Sequence, residues 1–315
     1  MGKVAFVFPG QGSQTVGMGK EAYETWPEAR EVFKRAGAAL NEDMADLCFN
    51  GPQERLTLTE NAQPALLTVS AALYQVLKGE GASPHFVAGH SLGEYSALVA
   101  AGVISLEDGV RAVRLRGRFM QEATPPGEGS MAALMGLSKE QVEELCAQVS
   151  QETGRVIEPA NFNSPSQIVV SGHRDAVLRL MEVAKEAGCR RAVELKVSAP
   201  FHCSLMRPAQ ERLAPVLSEI DFADAAFPVV PNVTGEPVSE GGTLRELLVK
   251  QVTAPVLWQL SVERMIEEGV TLFVEVGAGT VLSGLIKKTN RKVKTVAFGD
   301  PGALDSVLKA WEENR

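Results

Sequence analysis

An α/β fold is what this sequence predicts: a parallel sheet covered by helices, interrupted by a smaller βαββαβ unit. Three observations carry the prediction. Short runs rich in β-branched and aromatic residues alternate with longer helix-period stretches through most of the 315 residues, the pattern of strands joined by helical crossovers. Glycine-rich corners follow the first two of those runs. Between residues 129 and 198 the alternation gives way to the order strand, helix, strand, strand, helix, strand. Composition agrees: with 45% hydrophobic and 22% charged residues the chain is neither disordered nor fibrous, and at this length roughly 75% of the unfolded surface can be buried.

Residues 4–8 are uniformly apolar, as in a strand covered on both faces, and Pro9 ends them before the turn Gly10-Gln11-Gly12. Helices are expected over 27–40 and 64–78, opening with Pro27 and Pro64, because proline's fixed φ and missing N–H suit a first turn. A strand over 85–88 leads into Gly89. The next long helix is capped by Ser105 with Asp108 three residues on, and runs to about Ala123,. After Pro125-Pro126-Gly127-Glu128-Gly129 come strands 131–137, 156–161, 167–171 and 191–197, with helices 139–151 and 175–187. That is the ferredoxin-like order. Further strands are expected at 228–233, 271–276 and 293–298, with helices between and a last helix over 303–311. The chain therefore divides into a large α/β domain, 1–128 with 199–315, around an inserted small domain, 129–198. Ligand sites favour such an interface.

A formal charge of −8 excludes nucleic acid as the main partner, since phosphate binding needs a basic field. Cys48, Cys146, Cys189 and Cys203 show no CxxC spacing, so neither a disulfide framework nor a thiolate metal site is indicated. The opening apolar run is too short for a signal segment, and no stretch approaches the ~20 residues that span a bilayer. A soluble protein of a reducing cytoplasm, with no membrane contact, is expected.

Gly89-His90-Ser91-Leu92-Gly93 is a GxSxG pentapeptide between a strand and an apolar-faced helix, the setting of a nucleophile elbow in an α/β-hydrolase-like fold. The tight turn leaves no room for flanking Cβ atoms and projects the serine hydroxyl over a helix N-terminus. The plainer reading is a serine capping a helix. A serine nucleophile needs a base, and the histidines are four: His85, His90, His173 and His202. His90 is expected to point away from Ser91, whereas His202 sits where the chain re-enters the large domain and is the best-placed base. No acid stands out as a third member: Glu107 and Asp108 look like first-turn residues and Asp175 lies in the small domain. A dyad whose imidazole is oriented by a carbonyl or an amide is the alternative.

On the helix after Ser105, Arg111, Arg114 and Arg118 share a solvated face while Arg116 falls among Ala112, Val113, Phe119 and Met120,. A buried guanidinium cannot shed its charge. Its partner is either a protein carboxylate or an anionic ligand group. The Gln11 turn can bring a backbone N–H to an oxyanion alongside that of Leu92. It is not a phosphate cradle, because GxGxxG is absent, and Gly277-Ala278-Gly279 is an ordinary strand-to-helix corner or a weak phosphate turn.

Phe8-Pro9-Gly10-Gln11-Gly12-Ser13-Gln14, Gln63-Pro64-Ala65, Gly89 to Tyr95, Arg116-Gly117 with Met120-Gln121, Asn161 to Pro165, Pro200-Phe201-His202 with Met206, and Glu275-Val276-Gly277 with Gly279 together resemble the malonyl-CoA:acyl carrier protein transacylases of bacterial fatty acid synthesis. The resemblance implies malonyl transfer from malonyl-CoA to the pantetheine thiol of acyl carrier protein, without metal or other cofactor. It implies Ser91 as the acylated residue, His202 as base, Gln11 and Leu92 as oxyanion donors and Arg116 as partner of the malonyl carboxylate. Gln251 matches the glutamine whose carbonyl orients the histidine, Asn163 a polar residue lining the cleft, and Phe201 a position whose bulk disfavours a 2-methyl group.

Rival readings are a malonyl transferase serving polyketide synthesis, a thioesterase sharing the elbow, and a non-catalytic acyl-CoA-binding module. Both implied partners are acidic, so a chain of charge −8 needs local basic surface. Lys287, Lys288 and Arg291, with Lys292 and Lys294 and helped by Arg111, Arg114 and Arg118, are the expected docking patch, on a chain expected to be a monomer.

Overall fold

A computed structural model describes residues 2–314. The larger sheet has five strands: β1 (Lys3–Phe8), β2 (Phe86–Gly89), β7 (Val229–Val230), β8 (Val270–Val276) and β9 (Lys294–Phe298). Their order is β7-β2-β1-β8-β9, and every pairing is parallel. β1 lies at the centre with Val4 to Phe8 at most 1% exposed, which is why it reads as an unbroken apolar run. The smaller sheet comprises β3 (Gly129–Met135), β4 (Ile157–Ser164), β5 (Gln167–His173) and β6 (Arg191–Glu194), ordered β4-β5-β3-β6 and antiparallel throughout.

Side-chain alternation joins the two layers. Along β3, Ala132 and Leu134 pack with the helices Lys139–Thr153 and Arg174–Glu186, while Met131 and Ala133 join the core of the large sheet, as a period of two requires. Backbone bonds stitch the contact: Phe162 N–H donates to the Val256 carbonyl at 2.9 Å and Val256 N–H to that of Ala160 at 2.8 Å.

The helix Pro27–Leu40 starts at its expected proline, but the one expected to open at Pro64 spans Thr59–Gly79 with Pro64 inside it. Tertiary packing accounts for the extra turn. At Gly117 the helix Leu106–Glu122 crosses this turn so closely that a Cβ would sit 2.6 Å from the Thr59 carbonyl oxygen. The strand expected over 228–233 shrinks to β7 because Pro231 has no N–H to offer a ladder,. β6 ends at Glu194 rather than 197.

The loops at the carboxyl ends of β1, β2, β7 and β8 carry Gln11, Ser91, Asn232 and Gly277, the edge where open parallel sheets place their sites. All four cysteines are buried free thiols. No helix among the described residues is long and apolar enough to cross a membrane, and no cluster of three potential metal-binding side chains occurs among them.

Candidate active site

β2 runs into an elbow at Ser91, whose φ of 53° is left-handed, a conformation that costs a non-glycine residue about 1–3 kcal/mol. The flanking glycines make the turn possible. A Cβ on Gly89 would lie 1.9 Å from the Gly93 carbonyl, and one on Gly93 2.1 Å from the Phe8 oxygen. Asn232 fastens the turn from β7: its Oδ1 accepts from the Ser91 N–H at 2.8 Å and its Nδ2 donates to the Gly89 carbonyl at 2.7 Å.

Ser91 Oγ lies 2.7 Å from His202 Nε2. The other ring nitrogen, Nδ1, lies 2.9 Å from the Gln251 carbonyl oxygen, which can only accept, so Nδ1 carries the proton and Nε2 is free to take one. No carboxylate occupies the third place. His202 is 3% exposed; burial, with the Arg116 charge adding to it, pushes its pKa down to about 3.

Arg116, 1% exposed, donates from Nη1 to Gln63 Oε1 at 2.8 Å and from Nη2 to Gln251 Oε1 at 3.0 Å and Ser91 Oγ at 3.1 Å. Its guanidinium lies 5.6 Å from the centre of the Tyr95 ring. Nε has no partner among the described residues. Nor does any of their carboxylates lie within 4.0 Å of Arg116, so the protein-carboxylate reading has no counterpart among them.

A cleft of about 890 Å³ opens over these groups, lined by Gln11, Ser91, Leu92, Arg116, Phe201 and His202 among others. The Gln11 side chain is tethered to Thr59 Oγ1 at 3.2 Å. Neither the Gln11 nor the Leu92 N–H bonds to another described residue, and both residues line the cleft.

Two expectations change. Asn163 does not line the cleft, where Asn161 stands instead. The Asn163 amide donates to Gln167 Oε1 at 3.1 Å and turns its oxygen to His90 Nε2 at 2.7 Å. His90, expected to point away from Ser91, lines the cleft as well, with its ring held by Asn163. The three arginines expected to add basic surface are also already paired: Arg111 with Asp108 at 2.9 Å, Arg118 with Glu60 at 3.2 Å, and a half-buried Arg114 with Glu42.

Sequence reasoning assigned no role to Gln63, Glu94 or Asn232. Glu94 had a readable signal: it is the lone acid on a short helix, Gly93–Ala100, otherwise made of small and apolar residues with one tyrosine. It is fully buried.

The chain belongs to the acyl transferase domain family, whose profile matches residues 5–300. Its relatives within that class are specific. A malonyl CoA-acyl carrier protein transacylase of Bacillus subtilis is 49% identical over 313 residues, 99% of this chain and 98% of that protein. The crystal structure of an acyl carrier protein S-malonyltransferase from Vibrio cholerae superposes with a TM-score of 0.94 at 43% identity, covering 97% of this chain and 99% of that one. A malonyl-transacylase solved in complex with its type II polyketide acyl carrier protein gives a TM-score of 0.95 at 42% identity, over 98% and 99% of the two chains.

Proposed function

We propose that this chain carries a malonyl group on Ser91 between malonyl-CoA and acyl carrier protein. The activity is S-malonyl transfer in fatty acid synthesis, and it rests on identity with the transacylases along essentially the whole length. The observation that carries the site reading is Arg116, a buried cation held by neutral acceptors within one hydrogen bond of Ser91 Oγ. A buried charge so placed selects an acyl group that brings its own carboxylate.

In the first half-reaction Ser91 Oγ attacks the thioester carbonyl carbon and passes its proton to His202 Nε2. The oxyanion is held by the N–H groups of Gln11 and Leu92. The C–S bond then breaks, and the Nε2 proton leaves on the CoA sulfur. The pantetheine thiol of the carrier gives its proton to Nε2 as its sulfur attacks the malonyl-Ser91 ester, and that proton returns to Oγ. Throughout, the Gln251 carbonyl fixes the imidazole, and Phe201 bounds the space around the malonyl C2. Asn163 acts one step away, by holding His90.

We read the residues as two domains, 1–128 with 199–315 and 129–198, and the chain as a monomer, because one copy supplies every group named. Carrier docking is assigned to Lys287, Lys288 and Arg291. In support, these three line one surface recess, and Lys288 lines a second with Arg190 and Arg191. None of the five has an acid within ion-pair distance among the described residues. The polyketide-carrier complex of the 42%-identical relative makes a polyketide carrier the second reading.

Intact-mass measurement after mixing with malonyl-CoA is expected to show one malonyl adduct, absent from Ser91→Ala. An adduct that persists in that variant removes Ser91 from its role. Rapid release of malonate without a carrier thiol identifies a thioesterase instead.

A further inference from the structure

The reaction described above leaves a buried acid unused directly beneath the elbow. Glu94 Oε2 accepts from Gln251 Nε2 at 2.9 Å and from the Asn232 N–H at 2.9 Å, while Oε1 has no partner among the described residues. The two acceptor bonds decide more than local packing. Gln251 Nε2 also donates to the Ser91 carbonyl at 2.9 Å and to Asn232 Oδ1 at 3.2 Å. With its NH₂ group drawn to these acceptors, the amide must turn Oε1 toward Arg116 Nη2, and the backbone carbonyl of the same residue meets His202 Nδ1.

We propose that Glu94 is the remote acid of this site, a positioning residue whose carboxylate acts on His202 and Arg116 through the Gln251 amide and anchors the Ser91 elbow through Asn232. The inference rests on the reading of Ser91, His202 and Arg116 given above. An anion at this place does three things. It forbids the flipped amide, which would point an NH₂ group at the guanidinium. It partly balances the buried Arg116 charge while the cleft is empty. It also supplies negative potential when the imidazole becomes a cation during attack, the service that an aspartate gives by direct contact in a Ser-His-Asp triad.

The charged and titratable groups that share this buried space are Arg116, from the helix Leu106–Glu122, Tyr95, from the helix of Glu94 itself, and His90 and His202, from the loops beside Ser91. Burial raises the Glu94 pKa to about 7, against the opposing pull of its two hydrogen bonds and of Arg116. The carboxylate is therefore taking up its charge through the neutral range.

The test is the rate of Ser91 malonylation in a single turnover, followed by quenched-flow mass measurement between pH 5.5 and 8.5, for the wild-type chain, Glu94→Gln and Glu94→Asp. Glu94→Gln keeps an oxygen for both donors and removes the charge, putting an amide NH₂ where Oε1 has no partner among the described residues. It is expected to acylate at least tenfold more slowly at pH 7.5, with the acid limb of the rate profile displaced to lower pH or abolished. Glu94→Asp is expected to keep the limb where the wild type has it. A Glu94→Gln rate within threefold of wild type with the limb unmoved overturns the proposal. Equal losses in both variants with the limb unmoved overturn it too, and assign Glu94 to packing. If Glu94→Gln does not fold, Glu94→Asp decides: a wild-type limb with a loss under tenfold supports the proposal, and a larger loss or a moved limb overturns it. A wild-type chain that forms no adduct defeats the malonyl reading instead, whatever the variants do.

Discussion

Arg116 holds its charge where neutral oxygens of Gln63, Gln251 and Ser91 receive it, and that arrangement predicts a sharp selectivity. Arg116→Ala is expected to lower malonyl transfer by about 100-fold, the scale of losing one partner of a buried charge pair, and acetyl transfer by far less. Rates with the two CoA esters check it, and equal losses would make Arg116 structural. The two buried titrating residues have opposite stability signatures. His202, at about 3 when folded and about 6.5 when unfolded, binds fewer protons in the native state across that interval, so its contribution is lost as pH falls through it. Glu94, at about 7 when folded against an ordinary value of 4.5, binds more, so its contribution is lost as pH rises through that window. Glu94→Gln, which cannot ionise, is therefore expected to gain thermal midpoint relative to wild type from pH 4.5 to 7 and to hold the gain above. Scanning calorimetry at pH 5 and pH 8 reads the difference.

At the scale of elements, the elbow and the crossing at Gly117 are the positions where backbone shape leaves no freedom. Gly117→Ala must push the helix Leu106–Glu122 off the Thr59 carbonyl, and a loss of about 1–3 kcal/mol is expected from overpacking. Urea unfolding midpoints give the value, and because Arg116 rides on that helix, malonyl selectivity should fall with it. The strands of the large sheet were legible because burial on both faces writes itself as apolar runs, and Ser91 and His202 because tight turns and scarce histidines mark them. Pro64 misled because a first-turn proline and a proline one turn deeper look alike until a neighbouring helix is seen to cross the earlier turn. His90, Asn163 and Asn232 were opaque or misread for another reason. Their roles exist only where β2, β4 and the loop after β7 meet, and no spacing along the chain records that meeting.

For the whole molecule, the net charge of −8 makes the placement of positive charge decisive. Lys287, Lys288, Arg291, Arg190 and Arg191 have no acid within ion-pair distance among the described residues, whereas Lys294 pairs with Glu313 at 3.0 Å and Arg111, Arg114 and Arg118 are spent on Asp108, Glu42 and Glu60. Reversing Lys287 and Lys288 to glutamate is expected to raise the KM for acyl carrier protein several-fold, more at low salt than at high, and to leave the Ser91 adduct with malonyl-CoA intact. An unchanged KM would move the docking surface elsewhere. The position of β1 at the centre of its sheet also bears on biosynthesis. Residues 3–8 leave the ribosome long before residues 270–276 of β8, with which one of their two edges pairs. The antiparallel sheet between them closes on local contacts and can be complete while that edge still waits. For most of translation the nascent chain thus exposes an apolar, unpaired strand edge, a natural client for a chaperone and a reason for chains truncated before residue 270 to aggregate.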